Sequence, residues 1–143
     1  MQSINEKKIQ DSGVRKNAII MYSPDVDLCM SLTLYFQEKY IIITTTDGNT
    51  LPALVEMYHP LLVIVDALPT SWILDLFDGW KKVNPAMSIM LFRVWRYEDR
   101  KREATIHQSI DYVAYKPIDI AYVARIVNTL AETSDKAPAK TGL

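Results

Sequence analysis

The sequence is poor in the residues on which several common kinds of site depend. It has one cysteine, two histidines and four glycines in 143 residues. The single cysteine, Cys29, excludes an intramolecular disulfide, fits a reducing compartment and lies in an apolar helical stretch, where we expect a core residue. His59 and His107 lack cysteine or acidic partners at metal-site spacing, so we expect no zinc centre. The few glycines form no phosphate-binding loop, which excludes P-loop and Rossmann sites.

Strong charge of one sign and long apolar runs are also missing. The formal net charge is −1, which gives no basic surface for nucleic acid or for an acidic membrane. No apolar run approaches the roughly 20 residues that span a bilayer. The first residues are polar, unlike a signal peptide. We therefore expect a cytoplasmic protein that binds neither nucleic acid nor membrane.

What the sequence does contain is a regular alternation of two kinds of segment. Short runs rich in Ile and Val are apolar at consecutive positions, which is typical of strands buried on both faces. Longer segments with helical spacing separate them. The runs are residues 17–22, 41–46, 61–65, 88–94 and 112–115. This alternation predicts a flavodoxin-like α/β fold: a doubly wound, five-stranded parallel sheet in the order 2-1-3-4-5, with helices on both faces.

Both ends of the chain depart from this pattern. Residues 1–16 are polar and charged, and we interpret them as an N-terminal arm. Residues 132–143 show no apolar periodicity and are expected to form a flexible tail or a linker stub. The alternating part, residues 17–131, is therefore predicted to be a single domain.

Two polar residues follow buried strands at the edge where such sheets carry their sites. Asp66 ends the third apolar run, and Lys116 with Pro117 ends the fifth. Carboxyl ends of parallel strands meet at one edge, so we expect Lys116 to lie near the Asp66 carboxylate. A turn-capping aspartate and an ordinary surface lysine are the alternatives. Pro117 is compatible with a cis peptide bond.

Residues 60–66 and 111–117 resemble, in order and spacing, two segments of the receiver domains of bacterial response regulators, the CheY-like phosphoacceptor family. The resemblance covers residues 17–130. It implies that Asp66 accepts a phosphoryl group, that Lys116 contacts the phosphoryl oxygens, and that Mg²⁺ offsets their charge. It also implies a signalling role rather than an enzymatic one. The implied partner is a sensor histidine kinase or a phosphotransfer protein.

The sequence departs from the receiver pattern at the metal site. Receivers carry two adjacent acidic residues after the first strand, but the aligned residues here are Ser23 and Pro24. Asp25 is one position further on and, with Asp66, is the candidate Mg²⁺ ligand. An acid that stabilises the start of the following helix is the alternative role for Asp25. Because Mg²⁺ demands nearly octahedral oxygen ligands, we expect it to bind weakly.

The end of the fourth strand departs as well. The family places a small hydroxyl residue there, whereas this chain has Arg93. The position of the family's switch aromatic, three residues before Lys116, holds Val113. We expect Arg93 to aim at Asp66 and to take over part of the metal's role as a paired cation. The alternative is an arginine that faces solvent.

These features leave three functional hypotheses. The first is a phosphoaccepting receiver with Asp66 as its site. The second is a pseudo-receiver, which uses the same fold for protein interaction or dimerisation without phosphoryl chemistry. A flavodoxin-like cofactor binder is disfavoured, because the strand-end loops lack phosphate-binding composition. We also expect a weak homodimer through the fourth helix, fifth strand and fifth helix, with the charged and aromatic residues Arg96, Arg100, Arg102, Glu103, Asp119, Tyr122 and Arg125.

Overall fold

Five parallel strands form the centre of the computed structural model, which describes residues 17–96 and 103–141. The strands are β1 (Ala18–Tyr22), β2 (Ile41–Thr45), β3 (Leu62–Asp66), β4 (Ser88–Arg93) and β5 (Tyr112–Tyr115). Their order in the sheet is β2-β1-β3-β4-β5, and every neighbouring pair is parallel. The predicted strands and their order are confirmed.

Helices connect the strands, and local signals mark where several of them begin and end. They are α1 (Val26–Phe36), α2 (Leu51–Tyr58), α3 (Ser71–Val83), α4 (Glu103–Ser109) and α5 (Ile120–Thr141). Asp25 caps α1 by accepting a hydrogen bond from the Leu28 amide at 3.2 Å. Helix α3 ends at Val83, because Pro85 disfavours helical backbone at the residue before it.

A short turn, rather than a capping side chain, leads into α2. Thr50 precedes α2 but makes no capping hydrogen bond. Its hydroxyl instead donates to the Asp47 carbonyl at 2.7 Å. A 3₁₀ turn at Gly48–Thr50 precedes α2, and Asp47 caps that turn through the Asn49 amide at 3.0 Å. Hydrogen bonds to the side chain and the carbonyl group of Asp47 therefore stabilise the turn that leads into α2.

Two apolar cores cover the sheet, one on each face, because successive side chains of a strand point to opposite faces. Ile19, Met21, Ile64 and Phe92 pack with α1 and α5. The other core contains alternate strand residues such as Ile20, Val65 and Leu91, packed with α2, α3 and α4. All five residues of β3 are buried. Asp66 is therefore the polar end of an otherwise apolar central strand.

Cys29 lies in the core between the sheet and α1, as the sequence predicts. Its thiol is 3.7 Å from the Ser23 carbonyl oxygen. Burial, and then the nearby Asp25 carboxylate, raise the pKa of this thiol. Because the thiolate is the reactive form of cysteine, Cys29 is a packing residue rather than a nucleophile.

The domain limits stay predictions. Helix α5 continues to Thr141, past residue 131, where the sequence places the end of the domain. The arm at residues 1–16 lies outside the described residues. None of the described helices is long and apolar enough to cross a membrane.

Candidate functional site

Asp66 and Lys116 meet at the carboxyl edge of the sheet. Asp66, the last residue of β3, is 6% exposed, and its Oδ1 lies 2.7 Å from Lys116 Nζ. Lys116 follows β5, so its side chain extends past the end of β4 to reach β3. Its backbone amide donates to the Arg93 carbonyl at 2.8 Å, and the Lys116–Pro117 peptide bond is cis. The predicted proximity of Asp66 and Lys116 is confirmed.

Ser23 is the second partner of the Asp66 carboxylate. Its hydroxyl donates to Asp66 Oδ2 at 2.7 Å and accepts a hydrogen bond from the Asp25 amide at 3.0 Å. The side chain is fully buried. The sequence identifies Ser23 only as a residue that replaces an acidic metal ligand of the receiver pattern. The sequence feature that could have predicted its contact with Asp66 is its position directly after β1, the strand that neighbours β3.

The groups around Asp66 do not fit a Mg²⁺ ion. One carboxylate oxygen faces an ammonium group and the other accepts from a serine hydroxyl. Pro24 has no side-chain donor atom, and the Asp25 carboxylate caps α1. Within residues 17–96 and 103–141, no three His, Cys, Asp or Glu side chains are grouped to hold a metal. Mg²⁺ requires several oxygen ligands in octahedral geometry, and this site supplies a single carboxylate.

Arg93 is buried beside a different acid. It is 4% exposed, so the solvent-facing alternative is wrong. Its Nη1 lies 2.7 Å from Glu103 Oε1, at the start of α4. Phe92 is the residue in register with Asp66 and packs on the α1 and α5 face. Arg93 is the next residue, so its side chain leaves the sheet on the opposite face, toward α4. The proposed effect of Arg93 on Asp66 stays a prediction.

Glu103 links α4 to the ends of two strands. Besides Arg93 from β4, it contacts Tyr115 from β5, whose hydroxyl donates to Glu103 Oε2 at 2.9 Å. His107, one helical turn along α4, has its Nε2 3.4 Å from the same oxygen. Burial, and then the hydrogen bond to Glu103, raise the pKa of Tyr115. Tyr115 also packs edge to face against Trp95, with 5.7 Å between ring centres.

This internal role of Glu103 bears on the predicted homodimer. The sequence places Glu103 on a mixed-charge outer face, but its side chain is only 12% exposed. Its burial leaves little of it available to pair across a two-fold axis. Arg100 and Arg102, from the same expected face, lie outside the described residues. The homodimer itself stays a prediction.

Several solved structures that are similar to this chain are receiver domains. The signal receiver domain of a two-component response regulator from Bacteroides fragilis matches with a TM-score of 0.66 and 18% identity, over 81% of this chain and 97% of that one. A receiver domain protein from Clostridium thermocellum matches with a TM-score of 0.68 and 12% identity, over 85% and 98% of the two chains. This chain has the receiver fold. No family model matches it, and no curated protein matches it significantly.

The receiver fold also occurs in a similar structure of altered function. A protein from a family of streptococcal redox sensors that evolved from two-component response regulators matches with a TM-score of 0.71 and 18% identity. The match covers 87% of this chain and 55% of that one. At identities this low, similarity in structure shows the receiver fold and does not fix the chemistry of its site. That chemistry depends on Ser23, Asp66, Arg93 and Lys116.

Proposed function

We propose that this chain is a receiver-type signalling module that acts through protein interaction, without metal-assisted phosphorylation of Asp66. The observation that carries the proposal is the closed contact set around Asp66. Lys116 and Ser23 each engage one of its two carboxylate oxygens at 2.7 Å. The site therefore supplies from its own side chains the charge and the hydrogen bond that the carboxylate needs.

The charge balance at Asp66 supports this proposal. In the family pattern, clustered carboxylates repel one another until a divalent ion offsets their charge. Here Ser23 and Pro24 remove two of those charges, and Lys116 balances the one that remains. A phosphoryl donor brings further negative charge, which metal ions normally neutralise during transfer. Without ligands for a metal, attack by Asp66 is expected to be slow.

The partners that the resemblance implies are a sensor histidine kinase or a phosphotransfer protein. Under this proposal such a partner recognises the folded surface of the module, and its affinity does not depend on a phosphoryl group at Asp66. Asp66 is buried within the site rather than presented on the surface. Its role in the module is to hold Ser23 and Lys116 at the sheet edge.

The second candidate function is a phosphoaccepting receiver, and the short Asp66–Lys116 distance favours it. In that reaction an Asp66 oxygen attacks the phosphorus atom of a donor. A new bond forms between that oxygen and phosphorus, while the bond from phosphorus to the donor breaks and its electron pair leaves with the donor. Lys116 offsets charge on the phosphoryl oxygens.

Intact-protein mass spectrometry separates the two candidates. We expect no phosphoryl adduct on the wild-type protein after incubation with a small acyl phosphate, with or without Mg²⁺. An ordinary receiver domain treated in parallel shows that the donor is active. A Mg²⁺-dependent adduct on the wild-type protein that is missing from an Asp66→Asn variant would contradict the proposal and establish the second candidate.

A further inference from the structure

Helix α4 packs on the sheet through few apolar side chains and through one acidic side chain, Glu103. It has seven residues, of which Ile106 is buried. Glu103, at its first position, contacts the ends of two strands: Arg93 on β4 through Oε1 and Tyr115 on β5 through Oε2. A single carboxylate therefore joins three elements of the fold.

We propose that Arg93, Glu103 and Tyr115 form a latch that fixes α4 on the ends of β4 and β5, whatever the chemical state of Asp66. We call these three residues the Glu103 latch. The inference goes beyond the proposed function, which concerns phosphorylation of Asp66. Detecting a phosphoryl group on Asp66 would contradict that function without affecting the latch.

The burial of the ion pair explains why the latch holds. The Arg93 and Glu103 side chains are 3% and 12% exposed, and their charged atoms lie 2.7 Å apart. Movement of α4 away from the sheet would separate two charges in a site that water scarcely reaches. Losing one partner of such a pair leaves an uncompensated charge, which is strongly unfavourable. Tyr115 adds a hydrogen bond to the second oxygen, so rotation of the Glu103 side chain also breaks a contact.

The latch and the Asp66 site use separate side chains. Asp66 contacts Ser23 and Lys116, whereas Arg93 extends toward α4 on the opposite face of the sheet. The two ion pairs have no side chain in common, so a change at Asp66 removes no atom of the contact between Arg93 and Glu103. The backbone hydrogen bond from Lys116 to the Arg93 carbonyl connects the two sites without involving either charge. A change in charge at Asp66 is therefore not expected to open the latch.

Hydrogen–deuterium exchange of α4 tests this inference. In a Glu103→Gln variant, which keeps the side-chain shape but removes the charge, we expect amides at residues 106–109 to exchange at least about tenfold faster than in the wild-type protein. Amides of β1 and β3 should be unchanged. In an Asp66→Asn variant, we expect the α4 amides to stay within about twofold of the wild-type rates.

Two further variants complete the test. Tyr115→Phe removes a single hydrogen bond and keeps the ion pair, so its effect on α4 should be smaller than that of Glu103→Gln. If Glu103→Gln does not fold, Arg93→Lys, which keeps the charge but changes its geometry, should speed α4 exchange by at least about threefold. Unchanged α4 rates in Glu103→Gln, or in Arg93→Lys if Glu103→Gln does not fold, would overturn the proposal. Loosening of α4 in Asp66→Asn, to the extent expected for Glu103→Gln, would overturn it as well.

Discussion

A Glu103→Gln substitution is expected to lower the free energy of unfolding by about 3 kcal/mol, because it removes the carboxylate charge that lies 2.7 Å from the buried Arg93 guanidinium. The value is at the lower end of the range for buried pairs, since Glu103 keeps some contact with solvent. Urea unfolding of the wild-type and variant proteins measures this difference. The comparison requires that the unfolding free energy falls with urea concentration at the same slope in both proteins. A loss below about 1 kcal/mol would indicate an ordinary surface pair and contradict this account of Arg93.

A double-mutant cycle isolates the coupling between the two side chains. Replacing Arg93 and Glu103 together with Met should destabilise the protein less than the two single changes added together, because the double variant buries neither charge of the pair. The pair formed by Lys81 and Asp111 is the matched control. Its charged atoms lie 3.0 Å apart, close to the 2.7 Å of the Arg93–Glu103 pair, but both side chains are about one-third exposed. Its coupling free energy should not exceed about 1 kcal/mol.

Placing acidic residues after β1 is expected to strengthen the weak Mg²⁺ binding of the wild-type protein. Ser23 and Pro24 follow β1, and the Ser23 hydroxyl already touches Asp66. Ser23→Asp combined with Pro24→Asp therefore places carboxylate oxygens next to Asp66, where Mg²⁺ can use them as ligands. Calorimetric titration should show at least about tenfold tighter Mg²⁺ binding than in the wild-type protein, equivalent to about 1.4 kcal/mol.

The control for this gain is Ser23→Ala, which removes the hydroxyl and adds no carboxylate. It should leave the weak Mg²⁺ affinity unchanged, although Asp66 loses one hydrogen bond. Equal Mg²⁺ binding by the double aspartate variant and the wild-type protein would mean that Ser23 and Pro24 are not what excludes the ion. The account of the Asp66 site would then be wrong.

The strand order and the meeting of Asp66 with Lys116 could be predicted from the sequence for a simple physical reason. Strands buried on both faces of a parallel sheet are apolar at consecutive positions, so their ends show as abrupt changes to polar residues. Asp66 and Lys116 are two such changes on strands whose carboxyl ends share one edge. Their proximity therefore follows from the strand order, whereas their 2.7 Å contact depends on the side-chain conformations.

Arg93 and Glu103 could not be placed in the same way. The family pattern marks the position of Arg93, but the direction of a long side chain depends on strand parity and on an available partner. That partner is ten positions further along the chain, in a run of mixed charges that is usually a solvated helix face. The packing of Ile106 against the sheet turns Glu103 inward. Only the position of α4 in three dimensions shows that the Glu103 side chain is just 12% exposed.

The most direct test of the closed Asp66 site is the amide NMR spectrum of the wild-type protein, titrated with Mg²⁺ and beryllium fluoride, a mimic of a phosphoryl group on a carboxylate. If Ser23 and Lys116 complete the site and the Glu103 latch fixes α4, the resonances of Asp66, Arg93, Lys116 and residues 103–109 stay where they are. Saturable shifts at Asp66 that spread through β4 to α4 would contradict both the closed site and the latch.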